Sequence, residues 1–161
     1  MIQELFPDAK NVGIIYCSGE ANSVYQADVV KAALEKSGCT VNVYKFADTN
    51  DVVSVTAAAC DANDVLYVPT DNTAASCAEA ITKPIVAGEE GICKGCGVAT
   101  LSIDYYELGR TTGEMAVKIL KGEADISTMA IEYYPNPVKK YNPEMAEHFN
   151  LTIPSDYAAI G

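Results

Sequence analysis

The fold is decided by residues 11–23, N-V-G-I-I-Y-C-S-G-E-A-N-S, where an apolar run passes directly into a polar cluster. Val12–Cys17 has the length and apolar content of a buried strand. Ser23–Ser37 carries apolar residues at helical spacing and is followed by Gly38, a common helix stop. A strand that leads into a helix in this way predicts the first unit of an α/β fold.

The same transition from an apolar run to a polar cluster recurs further along the chain. Val65–Val68 is followed by Thr70–Thr73, Ile85–Ala87 by Gly88–Gly91, and Leu101–Ile103 by Asp104–Tyr106. If these runs are parallel strands, their carboxyl ends meet at one edge of one sheet. Open α/β sheets bind their ligands at that edge. The sequence therefore predicts a ligand site there.

The rest of the chain predicts alternating strands and helices, and therefore an α/β lobe of three layers, α/β/α, with a mostly parallel sheet. The further elements expected are a strand Thr40–Phe46 with Val41, Val43 and Phe46 inward, helices Asp51–Cys60 and Asn72–Ile81, a glycine-rich loop Gly88–Gly97, a strand Ala99–Ile103 and a helix Tyr105–Lys121. The helix Asn72–Ile81 is expected to be capped by Asp71 or Asn72. The helix Tyr105–Lys121 has an apolar stripe of Leu108, Thr112, Met115, Ala116, Ile119 and Leu120.

Prolines change the character of the last residues, so we expect two parts in the chain. Residues 1–134 are predicted to form the ligand-binding lobe. Residues 135–161 are predicted to form a proline-rich tail that packs on it, with a short helix between Pro143 and Phe149.

Composition excludes several classes of partner. The chain has 161 residues and a net charge of −11, which argues against binding to nucleic acid or to an anionic membrane surface. No stretch is long and apolar enough to span a bilayer. The first residues lack the basic and apolar regions of a signal peptide, so we expect either a cytosolic chain or a mature or excised piece of a larger protein.

The side chains at the strand ends suit a zwitterion. Helix starts at Ser18–Ser23 and Thr70–Thr73 offer backbone N–H groups to a carboxylate or phosphate. Carboxylates at the same edge suit an ammonium group, and a tyrosine can cover the ligand. The expected ligand-binding residues are Ser18, Glu20, Asn22, Ser23, Asp71, Asn72, Glu89, Asp104 and Tyr105. The alternative for each polar residue is that it only caps a helix.

Nothing in the sequence predicts catalysis, a cofactor or a metal. His148 is the single histidine, so a triad with a nucleophile is hard to build. Cys93 and Cys96 form a C-x-x-C pair, but two further zinc ligands are not near in sequence and the flanking glycines indicate a loop. We interpret most of the six cysteines as reduced structural residues.

Long ordered motifs resemble the substrate-binding proteins of ABC transporters of the tryptophan/tyrosine type. They are L-F-P-D-A-K-N-V-G-I-I-Y (5–16), S-G-E-A-N-S (18–23), Y-V-P-T-D-N-T (67–73), V-A-G-E-E-G (86–91), the segment 102–122 and N-P-E-M-A-E-H-F-N-L-T-I-P (142–154). The resemblance implies one half of a type I periplasmic-binding-protein fold. The implied ligand is an amino acid, aromatic amino acids included, or a similar small solute. The implied partner is a membrane permease, and the implied location of the parent protein is extracytoplasmic.

Two departures from that family set further expectations. The family carries an N-terminal lobe before the segment that here begins at Leu5, so this chain resembles the second, C-terminal lobe alone. The helix after Asn72 is also shorter than is usual in the family. We therefore expect the helix Tyr105–Lys121 to expose a face meant for the missing N-terminal lobe or for a second copy of the chain.

Two other functions are open at this point. One is a small isomerase or racemase that uses Cys17 with Cys93 as its partner thiol. The other is a receiver-like signalling domain, which would need paired acidic residues after the first strand, where this chain has Cys17 and Ser18.

Overall fold

A computed structural model describes residues 1–75 and 82–161, which form one seven-stranded sheet flanked by helices. The strands are β1 (Asn11–Cys17), β2 (Thr40–Phe46), β3 (Val65–Val68), β4 (Ile85–Ala87), β5 (Ala99–Ser102), β6 (Val138–Tyr141) and β7 (Ala158–Ala159). The helices are α1 (Ile2–Leu5), α2 (Ala21–Lys36), α3 (Thr49–Ala62), α4 (Asn72–Ala75), α5 (Glu90–Gly95), α6 (Tyr105–Leu120) and α7 (Pro143–His148).

The sheet is mostly parallel, as predicted. Its strand order is β2-β1-β3-β4-β5-β6-β7, and neighbours from β2 to β5 run parallel. Only the pairing of β6 with β5 is antiparallel among the described strands. The carboxyl ends of β1, β3, β4 and β5 therefore lie side by side at one edge.

Side-chain alternation divides the core between the two faces of the sheet. Ile15 and Leu66 point to the face that α3 and α5 cover, where the largest apolar cluster lies. Val12 and Val65 point to the opposite face, where they pack with Ile2 of α1 and Leu34 of α2. The three-layer α/β/α prediction is therefore confirmed.

Several local predictions were wrong or fall outside the described residues. Val43 does not point into the core: it is 38% exposed, because β2 is an edge strand. The expected loop Gly88–Gly97 contains α5, which the carboxylate of Glu89 caps. The predicted helix Asn72–Ile81 begins as expected and is described as far as Ala75; its remainder lies outside the described residues.

Residues 135–161 contribute to the sheet instead of only wrapping over it. β6 pairs with β5, and β7 pairs with β6. Met145, Phe149, Leu151 and Ile153 pack against the cluster of Leu5, Val98, Ala99 and Tyr157. The boundary between a lobe and a tail at residue 134 stays a prediction.

The helix α6 differs from the other long helices, since none of its sixteen residues, all of them described, is buried. Its polar side carries the ion pairs of Arg110 with Glu107 and Glu114. No helix within the described ranges 1–75 and 82–161 has the length and hydropathy needed to cross a membrane.

Candidate functional site

The candidate site is the edge formed by the carboxyl ends of β1, β3, β4 and β5. The polar clusters that follow these strands are neighbours because the strands pair in that order. All nine predicted site residues lie in these clusters or directly after them. Their ligand-binding role stays a prediction, and the contacts below show what each side chain does within the chain.

Asp71 is a structural link between two strand ends. Its side chain is buried, with 1% exposed. One carboxylate oxygen accepts a hydrogen bond from the backbone N–H of Cys17 at 2.7 Å, and the other accepts one from Ala74 N–H at 2.8 Å. Asp71 therefore joins the end of β1 to the first turn of α4 and caps that helix, as the sequence predicts.

Glu20 lies at the same helix start. Its Oε2 accepts hydrogen bonds from the backbone and side-chain nitrogens of Asn72, at 3.1 and 3.2 Å. Its Oε1 accepts from the backbone N–H and the hydroxyl of Thr73, at 3.1 and 3.0 Å. Burial raises the pKa of Glu20, but these hydrogen bonds outweigh it and hold the pKa below its ordinary value. The N–H groups at the start of α4, which the sequence analysis assigned to a ligand carboxylate or phosphate, are thus bound by a carboxylate of the protein itself.

Three further predicted residues tie neighbouring loops together. Ser18 donates from Oγ to the carbonyl of Phe46 at 3.1 Å. Asn22 Nδ2 and Ser23 Oγ both donate to the carbonyl of Thr70, at 2.7 and 3.2 Å. These bonds fix the loop after β1 against the loops after β2 and β3, and so shape the edge.

Glu89 and Asp104 each cap the helix that follows them. Glu89 accepts from the N–H groups of Gly91, at 2.7 Å, and of Ile92. Asp104 Oδ1 accepts from the N–H groups of Tyr106 and Glu107, at 2.9 and 3.1 Å. The capping alternative therefore holds for both. Because a carboxylate oxygen has two lone pairs, capping leaves each side chain able to accept from a ligand as well.

Tyr105 stands between two cavities at this edge. One, of about 230 Å³, is lined by Thr70, Asp71, Asn72, Glu89, Ile92 and Tyr105. The other, of about 390 Å³, is lined by Glu90, Ser102, Ile103, Asp104, Tyr105, Tyr134, Val138 and Lys140. The side chain of Tyr105 is 56% exposed, so its ring is available to a ligand. Burial, and then the charge of Glu89, raise the pKa of Tyr105, which keeps the hydroxyl protonated as a donor.

A charged cluster in the second cavity was not predicted. Glu90 Oε2 accepts from Lys140 Nζ at 2.6 Å and from Ser102 Oγ at 2.8 Å. The hydrogen bond from Lys140, followed by that from Ser102, lowers the pKa of Glu90 against a smaller effect of burial. Lys140 reaches the site because β6 runs antiparallel to β5, with Thr100 opposite Lys140. No local sequence signal indicates that pairing.

Cys93 and Cys96 do not form a reactive pair of thiols. Cys93 lies in α5 and Cys96 follows its end, so the prediction that this pair sits in a loop was wrong. Burial raises the pKa of the Cys93 thiol to about 12 and that of Cys96 to about 11, whereas a nucleophilic cysteine needs a lowered pKa. Among the residues that the structure describes, no three His, Cys, Asp or Glu side chains group as a metal site would require.

Comparisons with known proteins agree on one family. Residues 1–157 match the family described as ABC transporter substrate binding protein. The chain is 33% identical over 131 residues to the tyrosine-binding protein of Clostridioides difficile strain R20291, a match covering 77% of this chain and 38% of that protein.

Solved structures of similar proteins share the fold. The ABC domain from Streptococcus pneumonia, solved in complex with L-Trp, superposes with a TM-score of 0.85 at 30% identity. The match covers 99% of this chain and 58% of the Streptococcus chain. A ligand-free, open substrate binding protein with adhesive properties from Clostridium difficile gives a TM-score of 0.78 at 30% identity, covering 99% and 57%. A conserved domain protein from Vibrio cholerae gives 0.82 at 28% identity, covering 96% and 54%. The chain thus spans less than two thirds of the length of each of these relatives.

Proposed function

Because the chain belongs to the ABC transporter substrate binding protein family, a family of binding proteins and not of enzymes, we propose that it binds an amino acid at the carboxyl edge of its sheet. In this proposal the chain acts as the C-terminal lobe of the solute-binding component of an ABC importer. Its partners are the solute and a membrane permease, and the parent protein works outside the cytoplasm. The observation that carries the proposal is the family match over residues 1–157 together with the two cavities at that edge.

The chemistry of the smaller cavity supports an amino acid as the solute. Glu89 provides a carboxylate for an ammonium group, and Asn72 provides an amide for hydrogen bonding. The ring of Tyr105 and the side chain of Ile92 provide an apolar surface for an aromatic or aliphatic side chain. Similar proteins are described as binding tyrosine and as solved with L-Trp, so these two amino acids are the first candidates.

The helix N–H groups that could bind a ligand carboxylate at this edge are already bound by carboxylates of the protein, which favours a site shared between two walls of a cleft. Glu20 and Asp71 bind the N–H groups at the start of α4, and Glu89 binds those of α5. A ligand carboxylate would meet negative side chains there. We therefore assign recognition of the ammonium group and the side chain to this lobe, and recognition of the carboxylate to a second wall of the cleft, supplied by an N-terminal lobe of the parent protein or by a second copy of the chain.

A thermal-shift screen tests the proposal. The purified chain is heated with each of the twenty amino acids and with N-acetyl-L-tryptophan and N-acetyl-L-tyrosine, which lack the ammonium group. We expect L-Trp or L-Tyr to raise the melting temperature in a dose-dependent way, because a ligand that binds only the folded state stabilises it. The acetylated compounds should have no effect. If no amino acid raises the melting temperature, or if the acetylated compounds act equally well, the proposed ligand is wrong.

A further inference from the structure

The larger cavity at the sheet edge has the size of a ligand pocket. Its volume is about 390 Å³, whereas the smaller cavity, at about 230 Å³, lies below the roughly 300–1,000 Å³ that is usual for such pockets. Tyr105 lines both cavities, so they share a wall. A solute whose ammonium group is held in the smaller cavity would therefore extend its side chain into the larger one.

The walls of the larger cavity suit an aromatic ring. Tyr105 and the half-buried Tyr134 provide two aromatic side chains, and Ile103 and Val138 provide aliphatic ones. Aromatic rings pack well against other rings in offset or edge-to-face arrangements. What distinguishes one aromatic amino acid from another is then the polar groups of the same cavity.

Glu90 brings to this cavity a carboxylate with one oxygen fixed and the other available. Lys140 Nζ and Ser102 Oγ both donate to Oε2, at 2.6 and 2.8 Å. No residue of the described ranges 1–75 and 82–161 donates a hydrogen bond to Oε1. The hydrogen bond from Lys140, and then that from Ser102, hold the pKa of Glu90 below its ordinary value, so the group is ionised at neutral pH. Because Glu90 lines the cavity, Oε1 is the acceptor that it can offer to a ligand.

The surroundings of Glu90 favour a neutral donor over a cation. Lys140 also lines the cavity, and its ammonium group, 2.6 Å from Glu90 Oε2, would repel a second positive charge. Asp104, the other carboxylate of the cavity, caps α6 and is exposed, so solvent screens its charge. A phenol O–H or an indole N–H carries no charge, and its hydrogen bond to a carboxylate is stronger than one to a neutral acceptor.

We propose that Glu90 Oε1 accepts a hydrogen bond from the ring of the bound amino acid, so that the chain selects tyrosine and tryptophan over phenylalanine. This inference rests on the proposed function, since it needs an amino acid bound at this edge of the sheet. Phenylalanine fits the same apolar walls, but it would cover the free carboxylate oxygen without giving it a donor. A site built around such an acceptor rejects the ligand that lacks the matching donor.

A series of ligands tests the proposal on the unchanged chain. Ligand-observed NMR titration, which measures weak dissociation constants, compares L-Tyr and L-Trp with L-Phe and O-methyl-L-tyrosine. L-Phe lacks the ring oxygen, and O-methyl-L-tyrosine keeps the oxygen but has no O–H. We expect both to bind roughly tenfold or more weakly than L-Tyr, because a hydrogen bond to a charged group is lost. If L-Tyr binds and either of the two binds as tightly, this inference is overturned while the proposed function stands. If none of the four compounds binds, both are overturned.

The substitution Glu90→Gln tests the carboxylate itself. Because Lys140 and Ser102 both donate to Oε2, the amide oxygen of the glutamine should occupy that position and its NH₂ group should replace Oε1. The acceptor in the cavity thereby becomes a donor. We expect the binding of L-Tyr and L-Trp to weaken roughly tenfold, to the level of L-Phe, while the binding of L-Phe itself stays unchanged.

The matched control is Glu107→Gln. Glu107 lies in the first turn of α6, as Glu90 lies in the first turn of α5, but it lines neither cavity. This variant should keep the affinities of the unchanged chain for L-Tyr and L-Phe, and circular dichroism shows whether both variants are folded. A folded Glu90→Gln chain that still prefers L-Tyr to L-Phe would overturn the proposal, and so would a loss of that preference in Glu107→Gln.

Discussion

The carboxylate of Glu20 closes the N-terminal end of α4, where its Oε2 accepts hydrogen bonds from both nitrogens of Asn72 at 3.1 and 3.2 Å. This contact changes the interpretation of the strand-end cluster. The free N–H groups at a helix start are an attractive site for a ligand carboxylate, but here a side chain of the protein already uses them. Glu20 therefore organises the loop after β1 against the loop after β3 and gives this edge a negative charge.

Replacing Glu20 should reduce stability in a pH-dependent way. We expect Glu20→Gln to lower the free energy of unfolding by about 1 kcal/mol at neutral pH, the usual effect of losing a helix cap. The pKa of Glu20 is held below its ordinary 4.5, so its contribution is present above that pH and is lost as the pH falls through the lowered value. Urea unfolding from neutral to acid pH should show the two proteins converging, whereas Glu123→Gln on the exposed surface should show little difference throughout.

Removing the buried carboxylate of Asp71 should have a larger effect. Asp71→Ala leaves the N–H of Cys17 without its 2.7 Å partner and uncaps α4. Loss of a buried, charge-assisted hydrogen bond and of a cap together predicts a decrease of about 2–4 kcal/mol in the free energy of unfolding. Urea unfolding measures it, and Asp104→Ala, which loses an exposed cap, should cost about 1 kcal/mol. Equal effects of the two substitutions would contradict the assignment of Asp71 as a structural link.

Tyr105 and Tyr106 provide a matched pair for ligand binding. Tyr105 lines both cavities at the sheet edge, whereas Tyr106 is 78% exposed and lines neither. We expect Tyr105→Ala to weaken binding of L-Trp or L-Tyr by about 1–2 kcal/mol, because an aromatic contact surface is lost. Tyr106→Ala should bind as the unchanged chain does. Titration calorimetry gives both values, and a greater loss at Tyr106 would move the site away from these cavities.

The thiols of Cys93 and Cys96 should resist alkylation in the folded chain. Their pKa values of about 12 and 11 leave almost no thiolate at pH 8, and both side chains are buried. Mass spectrometry after brief treatment with iodoacetamide should find both unmodified, with the half-buried Cys39 modified first. All three should react in urea. Rapid labelling of Cys93 in the folded protein would show an accessible thiolate that the structure does not allow.

Most of the fold could be predicted from local pattern. β1, β3 and β4 are short apolar runs with polar or glycine-containing ends, whereas β2 alternates apolar and polar residues. The bounds of all four strands were predicted to within one residue. The helix α5 was missed because Gly91 and Gly95 weigh against a helix, while the cap from Glu89 that stabilises its start is visible only in three dimensions.

The candidate site was only partly predictable. The same residue types cap helices and bind polar ligands, so the sequence could place Asp71, Glu89 and Asp104 at one edge without saying what their carboxylates accept. The ion pair of Glu90 with Lys140 depends on β6, which is distant from Glu90 in sequence and pairs antiparallel with β5. That contact is set by tertiary structure, and no spacing in the sequence encodes it.

The most direct test of the central claim is a calorimetric titration of L-Trp and L-Tyr into the purified chain, with N-acetyl-L-tryptophan as the matched ligand. The account predicts saturable heat at one amino acid per chain, with an affinity weaker than micromolar because a single lobe covers only part of the solute. It predicts no heat of binding for the acetylated compound, because that compound lacks the ammonium group from which the Glu89 carboxylate would accept a hydrogen bond. An absence of saturable heat for both amino acids, or equal binding of the acetylated compound, would contradict the claim that this edge of the sheet recognises an amino acid.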